Sequence, residues 1–227
     1  METISCYNCG STLRLRSIIN VLSLRLYQEA LILPEFKSDK KLVIVGMSDN
    51  QIYAKPLSNK FNYINTFLHA EPKLDIANLD SWWFNYADVI ISSEVFEHVN
   101  PPVKKAFKNL FRILKNGGIV VFSVPYKKEG DTKEHFQNLF KYKIENYKGK
   151  KRLYNITKNG NIEIFDNLIW HGGPGSVLEM REFTERDILK ELKEAGFNDI
   201  RIHDDDYPQF GIINVRKDSL VISMRKD

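Results

Sequence analysis

Two carboxylates and an imidazole lie close together near the middle of the chain. Glu94, Glu97 and His98 form the pattern ExxEH, and on a helix their spacing would place the three side chains on one face. Such a set could hold a divalent cation with a further ligand from elsewhere, or act on a substrate without a metal. His171, in HGGPGS, is the candidate partner in either case, because the pKa of an imidazole suits proton removal near neutral pH. We expect no metal here, with His171, Glu94 and His98 as the catalytic residues.

A second candidate site is the polar turn that follows an apolar segment in Leu42–Asn50, which reads LVIVGMSDN. Ligands of open α/β sheets bind beyond the carboxyl ends of the strands, so a buried strand that runs into such a turn is typical of a cofactor site. Gly46 matters most, since a side chain there would block the close approach of a ligand to the backbone. We therefore expect Gly46→Val to abolish cofactor binding while leaving the fold intact. The turn lacks GxGxxG, which argues against a dinucleotide-dependent oxidoreductase.

Segments with the pattern of buried strands alternate with amphipathic helices along the chain. This alternation predicts an α/β protein with a doubly wound, mostly parallel sheet, whose uncharged strands are covered on both faces. The carboxyl ends of parallel strands meet at one edge, which would bring the candidate residues together. The predicted helices are Leu13–Leu33 (ended by Pro34), Pro101–Leu114 and Phe183–Ala195, and the predicted strands are Leu42–Val45, Phe61–Ile64, Ala87–Ser92, Ile119–Val124, Asn198–His203 and Leu220–Met224.

Capping residues mark the ends of two of these helices. Gly117, in KNGG, offers a left-handed C-cap for the helix that starts at Pro101. Thr184 is the predicted N-cap of the last helix, Asp187 stands where a capping-box acid does, and Gly196 ends that helix.

One stretch, Tyr126–Gly175, is polar and interrupts the alternation. It carries an Asn159–Gly160 turn between YNITK and NIEIF, and Asn-Gly between β-rich segments is a strong hairpin signal. We interpret residues 126–175 as an antiparallel, lid-like insertion over the mouth of the sheet. The chain then divides into an N-terminal CxxC segment with its helix, residues 1–38, and a larger α/β domain, residues 39–227.

The only two cysteines, Cys6 and Cys9, form a CxxC near the N-terminus. A zinc ribbon needs four ligands, and no second cysteine pair exists in the sequence. We interpret the motif as a turn or a degenerate knuckle. Zinc completed by a histidine elsewhere, or by another chain, is the alternative.

Composition and charge bound the class of protein. The chain has 227 residues, 43% of them hydrophobic, which is enough for one sizeable core. Its net charge of +4 is modest and its basic residues are interleaved with acidic ones, so a nucleic-acid partner is not favoured. No apolar segment of signal-peptide or membrane-spanning length is present, which predicts a cytoplasmic protein without a membrane partner. The oligomeric state stays open.

The order of motifs in the middle of the chain resembles that of class I S-adenosylmethionine-dependent methyltransferases. A strand ending in ADVIISSEVFEHV, a helix ending in FRILKNGG and the strand IVVFSVPY are similar to the EVxEHV, LKPGG and SVP motifs of a large bacterial group of that class. MREFTERDILKELKEAGF also resembles the helix before the sixth strand of that group. The resemblance covers roughly Lys41 to the C-terminus. It implies a seven-stranded Rossmann-like methyltransferase domain with S-adenosylmethionine as the cofactor.

The resemblance also assigns the turn after the first strand. Gly46, Ser48 and Asn50 stand at the three glycines of the family's glycine-rich loop. Serine and asparagine could still pass a backbone near the methionine part of the cofactor, and asparagine tolerates left-handed angles better than most residues. Gly46 and Ser48 are therefore predicted cofactor-binding residues.

Further cofactor contacts are implied after the second and third strands. Family members commonly end the second strand with an acid that binds both ribose hydroxyls, and this chain has Asn65 or Thr66 there. An amide can still hydrogen-bond a hydroxyl, but without the help of a charge. Asp75 and Ile76 fit the next contact, an aspartate facing the adenine amino group with an apolar neighbour against the ring. Ser93, at the end of the third strand, completes the predicted set.

The predicted function is methyl transfer to an oxygen or nitrogen of a small-molecule or glycan-like acceptor. The sulfonium methyl group is intrinsically reactive, so catalysis needs mainly in-line positioning and, where required, removal of a proton. The alternative is a non-catalytic S-adenosylmethionine- or nucleotide-binding module on the same fold, which the depleted glycines and the missing ribose acid support. The intact EVFEHV segment favours the enzyme.

Overall fold

The computed structural model describes residues 6–171, 176–215 and 219–227 of the chain. Four α-helices lie in this part: α1 (Leu13–Tyr27), α2 (Gln51–Lys60), α3 (Lys104–Ile113) and α4 (Glu185–Ala195). Short 3₁₀ helices lie at Leu33–Glu35, Ser81–Trp83, Phe96–His98 and Pro208–Phe210. Among the residues described, no helix is both long enough and apolar enough to cross a membrane.

Six strands make the central sheet, and the other strands belong to the polar insertion and its connections. In chain order the strands are β1 (Asp39–Met47), β2 (Phe61–Thr66), β3 (Ala87–Ser93), β4 (Leu114–Ser123), β5 (Tyr126–Lys127), β6 (Lys133–Glu134), β7 (Lys141–Tyr147), β8 (Lys150–Ile156), β9 (Ile162–Phe165), β10 (Trp170–His171), β11 (Val177–Leu178), β12 (Arg181–Thr184), β13 (Asn198–His203) and β14 (Val221–Arg225).

The central sheet has the strand order β13-β14-β4-β3-β1-β2. β1 pairs parallel with β2 and β3, and β3 pairs parallel with β4, whereas β14 runs antiparallel to both of its neighbours. The predicted mostly parallel sheet is confirmed. Each predicted strand falls on an observed one and passes its end by at most one residue, but β1 and β4 begin three and five residues earlier than predicted. From β1 the chain passes to β2 on one side and then to β3 on the other. The ligand crevice of such a sheet lies at the carboxyl ends of these strands.

Helices cover both faces of the sheet, as the uncharged strands predict. Successive residues of a strand point to opposite faces. In β1, Ile44 belongs to the apolar cluster that holds the buried side chains of α1 and α2, and Val45 belongs to the cluster that holds those of α3 and α4. The sheet is therefore doubly wound.

The central sheet has six strands in the described residues and not the predicted seven. The seventh would follow β2, where residues 67–86 form only a bridge between Phe67 and Lys73 and one 3₁₀ helix. A further parallel strand would need a crossover of a dozen or more residues on each side of it. The segment is too short for that, so β2 forms the edge of the sheet.

The predicted end of the first helix is wrong. α1 ends at Tyr27, and the prediction placed the end at Leu33. Gln28 adopts a left-handed conformation with φ 58°, and its N–H donates to the carbonyl of Leu24. This C-cap stops the helix well before Pro34.

The predicted limits of the helix in the middle of the chain are also too wide. The prediction was Pro101–Leu114, and α3 begins at Lys104 and ends at Ile113. Gly117 is left-handed, with φ 79°, but it lies inside β4 and does not cap the helix. The chain passes from helix to strand at Leu114 without the predicted cap.

The start of α4 differs from the predicted capping box. Thr184 is the N-cap residue, as predicted, but its side chain makes no capping hydrogen bond. The carboxylate of Asp187 accepts a hydrogen bond from the N–H of Thr132, 2.8 Å away. The donor to Asp187 is thus a residue distant in the chain and not the N-cap residue of α4. This hydrogen bond joins α4 to the insertion.

The polar stretch contains the predicted antiparallel hairpin. β7, β8 and β9 form a three-stranded antiparallel sheet, and the Asn159–Gly160 turn lies between β8 and β9, with Gly160 at φ 83°. Phe136, Leu153 and Met180 belong to a small buried cluster that is separate from the main core. The hairpin is confirmed, and its function as a lid stays a prediction.

α1 shares the core of the larger domain. Leu15, Ile18 and Leu22 are buried in one cluster with Val121 of β4 and Val221 of β14. The predicted division of the chain at residue 38 stays a prediction, but the helix on its N-terminal side covers one face of the sheet.

Truncation of Leu22 is expected to destabilise the whole domain. Leu22 is fully buried, and Leu→Ala changes in cores cost about 2–5 kcal/mol through lost burial and a residual cavity. Leu22→Ala should lower the free energy of unfolding by about this amount in a urea titration. Ile32→Ala is the matched control, because Ile32 is 44% exposed, and it should cost less than about 1 kcal/mol. A separate early transition with the main one unchanged would show that α1 is not part of the core.

Candidate active site

The carboxyl ends of β1, β2, β3 and β4 meet at one edge of the sheet. Met47 of β1 pairs with Thr66 of β2 and with Ser92 of β3. Ser93, the next residue of β3, pairs with Ser123 of β4. The predicted cofactor residues at the ends of β1, β2 and β3 therefore lie along one line across the sheet.

The turn after β1 is built around a buried carboxylate. Ser48 has a left-handed backbone, with φ 56°, and the next residue, Asp49, is buried. The Asp49 carboxylate accepts hydrogen bonds from the hydroxyls of Tyr53, at 2.7 Å, and Tyr63, at 2.6 Å. Burial raises the pKa of Asp49 to about 7, although the two hydroxyls and the charge of Arg14 favour the ionised form.

Gly46 is required by the packing of the protein itself. A Cβ at this position would lie 2.2 Å from the Tyr63 hydroxyl and 2.3 Å from a carboxylate oxygen of Asp49. Both side chains are buried or half-buried and hydrogen-bonded to each other, so they could not give way without loss of that pair. The expectation that Gly46→Val leaves the fold intact is therefore wrong.

The two residues predicted to contact the ribose support the same turn. The Asn65 side chain accepts from the N–H of Asp49 and donates to its carbonyl, both at 2.9 Å. Thr66 donates to the carbonyl of Gly46 and is only 1% exposed. Asn65 keeps a second donor and a second acceptor site, whereas Thr66 is turned into the protein.

Asp75 and Ile76 lie in the segment between β2 and β3. The Asp75 carboxylate accepts from the N–H groups of Ala77 and Asn78 and from the Asn78 side chain. These contacts make the Asp75 carboxylate the cap of its own turn. Ile76 is 5% exposed, and its carbonyl accepts from the side chain of Asn109 in α3.

Arg14 is a site residue that the sequence analysis missed. It lies in the first turn of α1, and its guanidinium donates to the Ser93 hydroxyl at the end of β3. Its Nε is 4.0 Å from a carboxylate oxygen of Glu94, and the Ser93 hydroxyl is 2.9 Å from that of Ser123. No motif surrounds Arg14 in the sequence. Only the packing of α1 on the sheet places the charge of Arg14 at the edge where the carboxyl ends of β1 to β4 meet, which we call the active edge.

On an α-helix, the spacing of the ExxEH residues would place their side chains on one face. The structure has no α-helix there. Glu94 has a left-handed backbone, with φ 57°, in the turn after β3, and its N–H donates to the carbonyl of Ser123. Glu97 and His98 follow in a single 3₁₀ turn. A non-glycine residue in this conformation costs of order 1–3 kcal/mol and is frequent at functional sites.

The structure nevertheless brings the four predicted residues of this cluster together. His171 Nδ1 lies 3.5 Å from Glu97 Oε1, and His171 Nε2 lies 3.9 Å from Glu94 Oε2. His98 Nε2 lies 3.6 Å from the same oxygen of Glu97. The contact with Glu97 raises the pKa of His171, with smaller contributions from Glu94 and against the effect of partial burial.

His171 reaches this position on the β10–β11 pair, in which it is opposite Val177. Its carbonyl accepts a hydrogen bond from the Ser176 hydroxyl. Residues 172–175 of the predicted HGGPGS loop lie outside the described residues.

Cys6 and Cys9 are free thiols in a turn before α1. The N–H of Gly10 donates to the carbonyl of Cys6 at 2.7 Å, and the Cys9 sulfur lies 3.0 Å from the Ser11 hydroxyl. In the described ranges, no histidine, aspartate or glutamate joins them in a group of metal-ligand geometry. The turn interpretation needs no metal.

Comparison with known families shows to which family the chain belongs. A sequence model described as a methyltransferase domain matches residues 33–202. The chain belongs to the methyltransferase domain family. By family and fold it is a class I S-adenosylmethionine-dependent methyltransferase, with S-adenosylmethionine as its cofactor, as the motif resemblance implied. No curated protein sequence matches the chain.

Solved structures share the fold of this methyltransferase. A 1,6-didemethyltoxoflavin-N1-methyltransferase from Burkholderia thailandensis, with bound S-adenosylhomocysteine, is 14% identical, with a TM-score of 0.50 over 94% of this chain and 77% of its own. The sugar N-methyltransferase KedS8 from Streptoalloteichus is 12% identical, with a TM-score of 0.51 over 96% and 90% of the two chains. The carbon methyltransferase CurJ is 13% identical, with a TM-score of 0.54 over 92% of this chain and 53% of its own. At these identities the likeness shows the fold alone.

The buried Asp49 predicts a pH-dependent stability. Its pKa is raised from 3.8 to about 7, so between about pH 4 and pH 7 the folded chain holds a proton that the unfolded chain releases. The contribution of Asp49 to the free energy of unfolding should therefore fall as the pH rises through this window. Asp49→Asn removes this titration. As the pH rises, the free energy of unfolding of the variant should therefore increase relative to that of the wild type, by up to about 1.4 kcal/mol per pH unit in urea titrations. A difference that stays constant from pH 4 to pH 7 would rule out the raised pKa.

Proposed function

We propose that this methyltransferase acts on an oxygen or nitrogen atom of a small-molecule or glycan-like acceptor. The observation that carries the proposal is the position of His171, whose two ring nitrogens face the carboxylates of Glu94 and Glu97 just beyond β3. A neutral imidazole can take a proton from a hydroxyl or an amine, and the two carboxylates would stabilise the imidazolium that results. The position of the group relative to β3 supports a role in the reaction, since ligands of such sheets bind at this edge.

Residues at the ends of β1 and β3 fit the methionine end of the cofactor. The guanidinium of Arg14 offers a charge-assisted hydrogen bond to a carboxylate, and the Ser93 hydroxyl lies beside it. The turn of Gly46 and Ser48 lies at the neighbouring strand end. We propose that these four residues hold the methionine part.

Residues after β2 would hold the adenosine end. Asp75 makes three hydrogen bonds within its turn, and a carboxylate has about four acceptor sites, so one remains for the adenine amino group. Ile76 would pack beside the ring. For the ribose we favour Asn65, because Thr66 is turned inward and donates to the carbonyl of Gly46.

The remaining chemistry falls to this chain's own residues. When bound, S-adenosylmethionine supplies a methyl group on a positively charged sulfur. The protein has to orient the acceptor, exclude water and receive a proton where the acceptor carries one. His171 would receive that proton, while the fully buried Glu97 and the neighbouring Glu94 and His98 hold its ring in place.

The insertion supports a small or glycan-like acceptor. β10, which carries His171, belongs to the insertion, and the Tyr142 hydroxyl of β7 donates to the side chain of Asn100, just after the ExxEH turn. Tyr142 and Tyr147 are 37% and 42% exposed. Such side chains present an apolar ring and a polar hydroxyl together, which suits a compact acceptor with polar groups at its edge.

A non-catalytic binding module is the second candidate. It is favoured by the side chains of Asn65 and Thr66, which serve the turn after β1 instead of standing free for a ribose. The convergence of His171 on the ExxEH residues favours the enzyme, because cofactor binding alone would not need it. Cofactor binding together with methyl transfer separates the two.

Removal of the Arg14 charge should weaken cofactor binding. A hydrogen bond to a charged group contributes about 1.5–3 kcal/mol, so Arg14→Gln should raise the dissociation constant for S-adenosylmethionine by about 10- to 100-fold. Isothermal titration measures this, and the wild type should bind in the micromolar range, about −8 kcal/mol. Lys108→Gln, which removes the same charge from an exposed position on α3, should bind like the wild type. Equal weakening in both variants would mean that Arg14 acts only through the net charge.

His171 should be needed for methyl transfer and not for the cofactor. With labelled S-adenosylmethionine and a cell extract as the source of acceptor, the wild type should label a low-molecular-weight compound, and His171→Ala should not. The variant should keep its affinity for the cofactor within about threefold, because His171 is not among the residues that we propose to hold the cofactor. Cofactor binding by the wild type without transfer to any fraction would favour the binding module.

A further inference from the structure

The sheet of β7, β8 and β9 has one buried face and one exposed face. Successive residues of a strand point to opposite faces. In β8, Leu153 is buried in the small apolar cluster of the insertion, so Tyr154 and Ile156, at odd-numbered steps along the strand, point the other way. Ile164 and Ile162 of β9 lie on the same side, because they are paired with Tyr154 and Ile156. We call this side of the sheet the open face.

Isoleucines form the centre of the open face. Ile156, Ile162 and Ile164 are 48%, 72% and 52% exposed. Side chains directly opposite each other on neighbouring strands are in contact range, so the three isoleucines and the ring of Tyr154 make one apolar patch. The patch borders a shallow groove of about 380 Å³, which is also lined by Lys141 and Lys143. Exposed apolar side chains with a charged rim are typical of a surface that binds a protein or a membrane.

The excess positive charge of the chain is concentrated in the same sheet. Residues 141–166 contain seven basic and three acidic residues, a net charge of +4, which equals the net charge of the whole chain. The rest of the chain is therefore neutral overall. Lys143 and Arg152 form ion pairs with Glu145 and Asp166. Four further lysines on the open face and at its turns have no carboxylate within ion-pair distance among the described residues: Lys141, Lys148, Lys150 and Lys158.

The side chains of the open face distinguish between the possible anionic partners. Single-stranded nucleic acid binds by stacking its bases on uncovered aromatic rings. The Lys143 amine lies over the ring of Tyr154, 5.8 Å from its centre, and the rest of the patch is aliphatic. Protein interfaces are poor in lysine, but six of the seven basic residues in 141–166 are lysines. A second copy of the chain would bring like charges together, which is costly. An anionic lipid surface is the partner that suits both the isoleucines and the lysines.

We propose that the open face of the β7–β9 sheet binds the surface of an anionic lipid bilayer. Ile156, Ile162 and Ile164 would enter the boundary between headgroups and acyl chains, as the apolar face of an interfacial helix does. The lysines would stay at the headgroups, because their flexible stems let the amine remain in a polar layer. This mode of binding needs no membrane-spanning helix. The proposal replaces the expectation of a protein without a membrane partner, and it does not depend on the methyl acceptor.

Co-sedimentation with lipid vesicles tests the surface directly. The full chain should bind vesicles of phosphatidylcholine with about 30% phosphatidylglycerol at least about tenfold more tightly than vesicles of phosphatidylcholine alone, and added salt should weaken the binding. Lys148→Gln combined with Lys158→Gln should weaken it about 25-fold, since one lysine near an anionic surface contributes about fivefold. Ile162→Ser combined with Ile164→Ser should weaken it at least about tenfold, because less apolar surface enters the bilayer.

Matched variants elsewhere on the chain separate this surface from general effects. Lys55→Gln combined with Lys108→Gln removes the same charge from exposed positions on α2 and α3. Leu68→Ser removes an exposed apolar side chain outside the insertion. Both controls should bind vesicles as the wild type does. Far-ultraviolet circular dichroism checks the fold of each variant.

Several outcomes would overturn the proposal. They are the absence of vesicle binding, equal affinity for the two kinds of vesicle, and losses in the control variants as large as those in the open-face variants. Tighter binding of a fluorescent oligothymidylate than of the anionic vesicles would assign the open face to single-stranded nucleic acid. A dimer in size-exclusion chromatography that Ile162→Ser with Ile164→Ser converts to a monomer would assign it to a second copy of the chain.

Discussion

The geometry of the active edge depends on one buried guanidinium. Arg181, in β12, is 0% exposed. It donates to the carbonyl of Phe96 at 2.7 Å and pairs with the carboxylate of Glu134 at 2.6 Å. A buried charge is tolerated only when it is paired and hydrogen-bonded, so neither partner can move away without a large cost. Arg181 therefore fixes β12 against the 3₁₀ turn that carries Glu97 and His98.

Residues just before Arg181 extend this constraint to the rest of the cluster. The N–H of Met180 donates to the carbonyl of Glu97 at 2.7 Å, and the ring of His98 bonds to the carbonyl of Leu178. Leu178 also belongs to β11, which pairs with β10, so the same segment determines where His171 lies. The segment from β11 to β12, together with β10 of the insertion, thus builds one side of this edge of the sheet. A change in its packing would alter the distances among the acidic and imidazole groups.

Patterns that are local in the sequence were sufficient for the strands of the sheet and for the ExxEH motif, because burial and strand register follow from short apolar segments. Contacts between distant segments were not predictable in this way. Arg14 meets Ser93 only because α1 covers the sheet, and Asn65 is engaged by the backbone of Asp49. The seventh strand was predicted from the family, while the short connection after β2 leaves no room for it.

The turn after β1 has one glycine, Gly46, and other residues support its backbone. A left-handed backbone at Ser48 costs about 1–3 kcal/mol for a residue other than glycine. The N–H of Ser48 donates to the carbonyl of Thr66 at 2.8 Å, and the Asn65 amide bonds both the N–H and the carbonyl of Asp49. At about 1 kcal/mol each, three such bonds offset the strain. Hydrogen bonds from β2 here replace the conformational freedom of glycine. A decayed loop would not need such support, so the absence of glycines is weak evidence for a loss of function.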